Sequence, residues 1–252
     1  MICSEDVRRF WDGRAREFKT SGQATLRETR LREREIRAII RHLPDRCRAI
    51  DIGCGNGYST LRFAQARKLD IVGVDFSPEM IRYARENLVS FQEHNPRKSV
   101  VDFGVADVLD LRYPAESFDV AITERCLQNL TSWEDQRQAI VNIGRLLKPD
   151  GRFIMTEGSF TSLDRLVGLT HRLGLKEPAG VVPWHNLFFC DDLLLNDPAI
   201  RRSFVPIEID NFASSYMLVT RLLSARLHRL AGVVPNFGSF GYIKIYSWRR
   251  RR

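Results

Sequence analysis

The sequence lacks long apolar runs and any ordered set of metal or disulfide ligands. No segment approaches the ~18 consecutive apolar residues of a membrane-spanning helix, and the start, MICSEDVRRFWDGRARE, has no apolar core of a secretory signal. The five cysteines are scattered without a CxxC pair, which argues against a disulfide framework or a zinc site. We therefore expect no metal, no membrane span and a cytoplasmic location.

Histidine is scarce, with five residues, whereas positive charge is in excess, with a formal net charge of +8. Arginines concentrate in the stretch TLRETRLREREIRAIIRHL at 25–43 and in the tail WRRRR at 248–252. In the first stretch, interleaved acids predict helical i,i+3 and i,i+4 ion pairs on a solvated face. The alternative is contact with a polyanion. We favour the solvated surface and do not expect nucleic acid as a partner, because no aromatic-rich nucleic-acid motif accompanies the charge.

Beyond residue 44, short apolar segments alternate with helix-like segments. Strands are predicted at 48–52, 70–74, 100–105, 118–123 and 152–156, with helices between them. This alternation indicates an α/β fold with a doubly wound, mostly parallel sheet. Two N-terminal helices precede it. After it, the sequence predicts a helix at 161–174, a loop-like stretch at 178–197, strands at 207–211 and 215–220, a helix at 221–230 and an edge strand at 242–248.

The chain contains no internal repeat and no low-complexity linker. We therefore interpret it as a single domain of 1–252 with seven strands in its sheet. Its parts are N-terminal cap helices at 1–44, a ligand-binding core at 45–157, a substrate-side insert at 158–206, and C-terminal strands with the basic tail at 207–252. The oligomeric state is expected to be a monomer or a homodimer.

Three glycines and an acid follow the first predicted strand. The stretch AIDIGCGNGYST at 49–60 has the pattern D-x-G-x-G-x-G, and Asp75 ends the second strand. Glycines in such a turn permit positive φ or the close approach of a ligand. An acid about 20 residues further on can accept the hydroxyls of a ribose. A helix-capping role is the alternative for Asp75, although Ser77 already fits the cap.

Four motifs in order resemble the class I S-adenosylmethionine-dependent methyltransferases, particularly their small-molecule branch. They are AIDIGCGNG, IVGVDFSPEMIRYAREN, VADVLDLRYPAESFDVAI and LLKPDGRFIMTE, within residues 45–157. The resemblance implies a Rossmann-like fold and S-adenosyl-L-methionine as the cofactor. It implies cofactor contacts at Asp51, Gly53, Gly55, Gly57, Asp75, Phe76, Met80, Asp107, Val108 and Glu124.

The resemblance also implies a role for each of these positions. Asp75 would bind the ribose, Glu124 would approach the methionine amino group, and the adenine would contact Phe76, Met80, Asp107 and the backbone N–H of Val108. Each position has a structural alternative. Met80 at helical spacing suits a core residue, Asp107 can begin a turn, and Glu124 can pair locally with Arg125.

Methyl transfer from a sulfonium is an in-line displacement that depends mainly on orientation, with a general base needed only if the nucleophile must lose a proton. Acceptor-side residues are expected after strands four and five and in the insert. The catalytic candidates are His185, Glu124 and Glu157, with His185 as the preferred base because histidine titrates near neutrality. A structural histidine is the alternative. The substrate-binding candidates are Arg125, Asn129, Trp184, His185 and Asn186.

The resulting prediction is methyl transfer to a small polar acceptor, such as a hydroxyl or amine of a sugar, nucleotide sugar or natural product. Many family members place a histidine pair after strand four, where this chain has Gln128 and Asn129, so no base is carried over to that loop. The first alternative is an RNA or protein methyltransferase that uses the basic surface. A nicotinamide-dependent oxidoreductase fits less well, because position 58 is tyrosine instead of the third glycine of G-x-G-x-x-G and no Tyr-x-x-x-Lys pair follows a strand. A non-catalytic binding protein is the third alternative.

Overall fold

A single seven-stranded sheet organises the chain. The computed structural model describes residues 3–95, 99–175 and 182–252. The strands are β1 (Cys47–Ile52), β2 (Leu69–Asp75), β3 (Val100–Val105), β4 (Phe118–Glu124), β5 (Leu147–Gly158), β6 (Phe204–Asp210) and β7 (Ile243–Arg250). Their order is β3-β2-β1-β4-β5-β7-β6, with β1 to β5 parallel and β7 antiparallel to both of its neighbours. The predicted doubly wound fold is confirmed.

Helices cover both faces of this sheet. They are α1 (Ser4–Phe18), α2 (Thr29–His42), α3 (Tyr58–Ala66), α4 (Pro78–His94), α5 (Trp133–Leu146), α6 (Phe160–Arg172), α7 (Asp191–Asn196), α8 (Pro198–Ser203), α9 (Ser214–Met217) and α10 (Leu230–Val233). Short 3₁₀ turns lie at Gly22–Ala24, Leu127–Asn129 and Ala225–His228, and a π-helical turn lies at Leu218–Leu223. Within the described ranges, none of the helices has the length and hydropathy of a membrane span.

The strands are apolar because both faces of the sheet are buried. In β5, Ile154 belongs to the core under α2, whereas Phe153 and Met155 belong to the core under α5. Successive strand residues point to opposite faces, so a strand covered on both sides needs apolar residues throughout. The parallel strands therefore appear as continuous apolar segments in the sequence.

The prediction that the last strand lies at the sheet edge is wrong, because β6 pairs with β7 on its outer side. The strand carries one lysine, Lys244. In the structure, Lys244 is buried, and its Nζ lies 2.5 Å from a carboxylate oxygen of Asp191. Its strand neighbours Ile245 and Tyr246 pack into opposite cores.

The C-terminal region also differs from the prediction. The predicted strand at 215–220 is helical, forming α9 and the start of the π-helical turn, and the predicted helix at 221–230 is divided among short turns. Ser215 donates through Oγ to the carbonyl of Pro235, which holds this segment away from strand pairing. The predicted loop-like stretch at 178–197 lies partly outside the described residues, and its described part ends in α7.

The predicted ion pairs along α2 are replaced by contacts with other elements. The acids at its start and centre bond to other elements instead of pairing along the helix. Glu28 bonds to Arg221, and Glu35 bonds to Arg125. A helix that appears solvated from its alternating charges is thus tied to the sheet edge and to the C-terminal segment.

Gly57 offers a test of how the turn after β1 is packed. Its φ is +74°, and a Cβ atom placed there would lie 2.6 Å from Cζ of the Phe103 ring. Gly57→Ala is expected to lower the free energy of unfolding by about 2 kcal/mol or more, through the left-handed backbone and overpacking. Urea denaturation measures this change.

Gly168→Ala is the matched control, because Gly168 lies inside α6 and a Cβ atom placed there would meet no other atom within 4 Å. This variant is expected to keep or raise stability by up to about 1 kcal/mol, since alanine favours helix. Equal effects of the two substitutions would contradict the packing role of Gly57.

Candidate functional site

Three adjoining clefts follow the carboxyl ends of β1, β2 and β4. The outer cleft is bordered by Phe76, Asp107, Val108, Leu109, Asn129 and the α1 residues Ser4 and Val7. The central cleft is bordered by Gly53, Gly55, Asp75, Met80, Asn129 and Trp11. The inner cleft is bordered by Asp51, Asn56, Ser59, Glu124 and Arg125. Gly53 lines all three, so the clefts adjoin one another at the carboxyl ends of the strands.

The glycine turn brings the backbone against other protein segments as well as the clefts. A Cβ atom at Gly53 would lie 2.5 Å from Cys126 Sγ, and one at Gly55 would lie 2.5 Å from Cγ2 of Thr25. Both positions still line clefts. Gly57 borders none of the three clefts and packs against Phe103. The structure therefore places Gly57 in the core and not in the predicted cofactor contact.

Asp75 is held at the floor of the central cleft. Its Oδ2 accepts a hydrogen bond from the Gly55 N–H and its Oδ1 accepts one from the Ser77 N–H, both at 2.9 Å. Burial raises the pKa of Asp75 to about 6. Each oxygen keeps lone-pair capacity for a further donor. The predicted cap is also present, because Ser77 Oγ accepts from the Met80 N–H at the start of α4.

A buried acidic group occupies the inner cleft. Asp51 Oδ2 accepts a hydrogen bond from Thr60 Oγ1 at 2.5 Å, whereas its Oδ1 has no partner among the described residues. Glu124 pairs through Oε1 with Arg125 at 2.7 Å, and its Oε2 also lacks a described partner. Arg125 pairs in turn with Glu35 at 3.1 Å. The expected local pair of Glu124 with Arg125 is therefore present, as part of a larger chain.

Acidic groups outnumber basic groups here. Glu35 and Glu124 both pair with the guanidinium of Arg125, whereas the described partner of Asp51 is the hydroxyl of Thr60. Burial raises the pKa of Asp51 to about 7, and the nearby Glu124 carboxylate adds to the effect. Burial likewise raises the pKa of Glu35. An unpaired buried carboxylate is costly, so the inner cleft favours a cationic ligand group.

The residues predicted to contact an adenine lie in two different clefts. Phe76, Asp107 and Val108 line the outer cleft, and Asp107 Oδ1 also accepts from the Leu109 N–H at 2.9 Å. The expected turn at Asp107 is therefore present alongside its place in the cleft. Met80 is 1% exposed, borders the central cleft and packs in a core cluster with Tyr83, so both interpretations of Met80 fit.

Glu157 does not reach any of these clefts. Its Oε1 accepts from the backbone N–H groups of Cys126 and Leu127, and its Oε2 accepts from Gln128, all within 3.1 Å. Burial raises its pKa to about 7 although these donors lower it. The predicted catalytic role is corrected to one of positioning, since the carboxylate fixes the turn after β4.

Asn129 is also placed differently from its prediction as a substrate contact. Its Oδ1 accepts from Trp11 Nε1 at 3.2 Å, and its Nδ2 donates to the Arg125 carbonyl at 2.7 Å. It lines the outer and central clefts and is not among the residues around the side cavity. The structure therefore groups Asn129 with the outer and central clefts.

A side cavity of about 1110 Å³, including its open mouth, lies beside the central cleft. The predicted substrate contacts Arg125, Trp184, His185 and Asn186 all border it. Its other walls come from α1, the segment before α2, the turn after β4, the insert and the C-terminal segment. They include Phe10, Trp11, Arg14, Thr25, Glu28, Gln128, Phe188, Arg221 and Tyr242. Trp11, Thr25 and Arg125 border both the cavity and the central cleft, so the two spaces meet there.

His185 is buried in an aromatic wall of the side cavity. Its ring centroid lies 4.3 Å from that of Phe10 and 5.6 Å from that of Trp11. Burial lowers its pKa to about 4, so the expectation that it titrates near neutrality is corrected. The imidazole is neutral at pH 7 and can accept a hydrogen bond.

Sequence reasoning missed several residues around the side cavity. Thr25, Glu28 and Arg221 line it, but in the sequence they belong to arginine-rich or irregular segments without a motif. Glu35 was interpreted as a solvated charge although it is fully buried. For Glu35 alone the sequence carries a signal, since this acid lies on the apolar side of an otherwise amphipathic helix.

The assignment of Glu157 as a positioning residue leads to a stability test. Glu157→Gln keeps the size of the side chain but replaces one acceptor oxygen with a donor that faces backbone N–H groups. The free energy of unfolding is expected to fall by about 1–3 kcal/mol, measured by urea denaturation. Glu134→Gln, at an exposed position of α5, is the control and is expected to change it by less than about 0.5 kcal/mol. Equal stabilities of the two variants would contradict the assignment.

Comparison with known proteins completes the description of the site. A family described as a methyltransferase domain matches residues 43–177. The chain is 32% identical over 162 residues to the 27-O-demethylrifamycin SV methyltransferase of Amycolatopsis mediterranei, covering 64% of this chain and 53% of that protein. It is 30% identical over 173 residues to the uncharacterized methyltransferase YcgJ of Bacillus subtilis, covering 66% and 63%.

The fold is shared with solved structures at low sequence identity. A SAM-dependent methyltransferase from Methanosarcina mazei matches with a TM-score of 0.55 and 16% identity, covering 85% of this chain and 96% of that chain. The first curated relatives are matched over only 46% to 63% of their own length.

Proposed function

The chain belongs to the class I S-adenosylmethionine-dependent methyltransferase family, and we propose that it transfers a methyl group from this cofactor to a small polar acceptor. The acceptor group is a hydroxyl or amine of a sugar, nucleotide sugar or natural product. One observation carries the proposal: the clefts at the strand ends open into the side cavity at Trp11, Thr25 and Arg125. A related protein whose name specifies an O-methylation agrees with a small-molecule acceptor.

The residues of the three clefts fit the cofactor. The unpartnered buried oxygens of Asp51 and Glu124 suit a cationic ammonium group. The two oxygens of Asp75 can accept ribose hydroxyls while they keep their backbone bonds. Phe76 and Val108 provide an apolar slot for an adenine in the outer cleft. The carboxylates of the inner cleft, the acceptor oxygens of the central cleft and the apolar surface of the outer cleft thus match the order of the ammonium group, ribose and adenine along the cofactor.

The chain contributes orientation and exclusion of water. When bound, the cofactor supplies an electrophilic methyl group with a neutral leaving group. Trp11 on α1 covers the central cleft and is fixed by its bond to Asn129. Arg125 is fixed between Glu35 and Glu124 at the opening into the cavity. Such positioning can contribute on the order of 7–11 kcal/mol to lowering a bimolecular barrier.

His185 remains the candidate base. Its neutral imidazole lies in the wall of the side cavity, where it can accept the proton of a hydroxyl acceptor. Its low pKa makes it a weak base, which suits a transfer in which the proton leaves late. An amine acceptor that arrives unprotonated would need no base.

The position of the basic tail does not favour the alternative of an RNA or protein methyltransferase. Arg249 pairs in register with Arg152, whereas Gly158 at the other end of β5 lies by the side cavity. Arg152 and Gly158 are six residue steps apart along the strand, which amounts to about 20 Å. The tail arginines also have acidic partners, including Glu116 and Asp150. The tail therefore lies at the opposite ends of the strands from the clefts.

Binding of S-adenosylhomocysteine, the demethylated cofactor, tests the role of Asp75. Asp75→Asn is expected to weaken binding at least tenfold, because an amide oxygen is a poorer acceptor than a carboxylate for the ribose hydroxyls. Isothermal titration calorimetry measures the Kd. Asp70→Asn, at an exposed position at the other end of β2, is the control and is expected to bind like the wild type. A wild-type Kd in Asp75→Asn would exclude the ribose role.

The raised pKa of Asp51 predicts a pH dependence of the same binding. A carboxyl with a pKa of about 7 is mostly protonated at pH 6 and must ionise to pair with a cation. Affinity for S-adenosylhomocysteine is therefore expected to rise about tenfold from pH 6 to pH 8. Asp51→Asn is expected to bind more weakly and to lose this rise. A variant that keeps the full rise would show that another group titrates.

A further inference from the structure

We propose that Glu28, Arg221 and Tyr242 form the acceptor-recognition group of the side cavity, and that they select an acceptor with vicinal hydroxyl groups. This inference rests on the proposed function and specifies its substrate class. All three residues border the side cavity. They also lie outside residues 43–177, the part that matches the methyltransferase domain. They therefore belong to the part of the chain that lies outside the matched methyltransferase domain.

The three side chains form one hydrogen-bonded network. Arg221 pairs with Oε2 of Glu28 and donates through Nε to the Tyr242 hydroxyl at 3.1 Å. Tyr216 donates to Oε1 of Glu28 at 2.7 Å. The side chains of Arg221 and Glu28 remain 19% and 30% exposed. The network is thus fixed in place and still accessible from the cavity.

This network offers donors and acceptors next to each other without net charge. The guanidinium of Arg221 has five N–H groups, not all of which are used by its described partners, and each oxygen of Glu28 keeps a further lone pair. The Tyr242 hydroxyl accepts from Arg221 and can still donate its own proton. Two neighbouring hydroxyl groups, each a donor and an acceptor, complement this arrangement. A single anionic group would have to compete with Glu28 for Arg221.

The other arginines around the cavity are already engaged. Arg14 donates to the carbonyls of Ala24 and Gln23. Arg125 is held by Glu35 and Glu124. Arg27, which also borders the cavity, pairs with Glu17 at 3.5 Å. Each of these arginines thus has a partner within the protein, which favours a neutral polyhydroxylated acceptor over an anionic one.

Aromatic rings form another part of the lining. Trp11, Trp184 and Phe10 border the cavity, and Phe188 stacks on Tyr242 with ring planes inclined by 20°. Aromatic faces bind the apolar C–H face of a saturated ring, while planar polar groups bind its hydroxyls. The backbone of Arg221 lies in the π-helical turn Leu218–Leu223, a rare conformation that occurs frequently at functional sites.

Methyl transfer to defined probes tests the proposal. The probes are the 4-nitrophenyl glycosides of glucose, mannose, galactose and rhamnose, with salicylate and 4-nitrobenzyl alcohol as an anionic and a neutral comparison. Labelled S-adenosylmethionine is the donor. At least one glycoside is expected to be methylated with a kcat/KM at least tenfold above both comparison compounds. Transfer to none of the glycosides, or preferential transfer to salicylate, would overturn the proposal.

Variants then connect this selectivity to the network. Arg221→Gln and Glu28→Gln are expected to lower kcat/KM for the glycoside about 100-fold, and Tyr242→Phe about tenfold, mainly through KM. The Kd for S-adenosylhomocysteine is expected to stay within twofold of wild type. Arg226→Gln, at an exposed position of the next turn, is the control and is expected to keep the wild-type kcat/KM. Wild-type kcat/KM in Tyr242→Phe and Arg221→Gln would overturn the proposal.

The design separates this proposal from the proposed function. If S-adenosylhomocysteine gives no heat in calorimetry, the proposed function fails and this inference fails with it. If S-adenosylhomocysteine binds and the glycosides are not methylated, only the acceptor class is wrong. A loss of cofactor binding in Arg221→Gln would show that the network supports the fold instead of recognising the acceptor, and would equally count against the proposal.

Discussion

A cluster of buried acidic groups near the ends of β1 and β4 is the constraint on which the site depends. Glu124 and Glu35 share the guanidinium of Arg125, and Asp51 lies beside them, bonded to Thr60. Two of the carboxylate oxygens have no described partner. Burying charge in this way opposes folding, so the arrangement is best explained by a ligand that brings positive charge. A sulfonium cofactor with an ammonium group does so.

The N-terminal helices connect this acidic group to the acceptor side. Thr25 contacts the glycine turn, and Trp11 bonds to Asn129 after β4. Both residues also border the side cavity. This segment therefore borders both the central cleft and the side cavity. The family core supplies the strand ends, while segments outside residues 43–177 supply most of the cavity wall.

The sequence allowed prediction of the features that depend on local geometry. The positions of the five parallel strands, the glycine turn and the Ser77 cap each follow from a few neighbouring residues. Features that depend on contacts between distant segments were not predicted. Glu35 was predicted to lie on a solvated face because a buried ion pair leaves no local pattern. The catalytic role predicted for Glu157 and the near-neutral pKa predicted for His185 differ from the structure for the same reason. Both properties depend on the residues that pack around the side chain.

A crystal structure with S-adenosylhomocysteine is the most direct test of the central claim. We predict that the ligand occupies the outer, central and inner clefts, with its ammonium group within hydrogen-bond distance of Asp51 or Glu124 and its ribose at Asp75. The methyl-bearing position should then face the side cavity between Trp11 and Arg125. A ligand bound elsewhere, or an ammonium group directed away from both carboxylates, would contradict the claim.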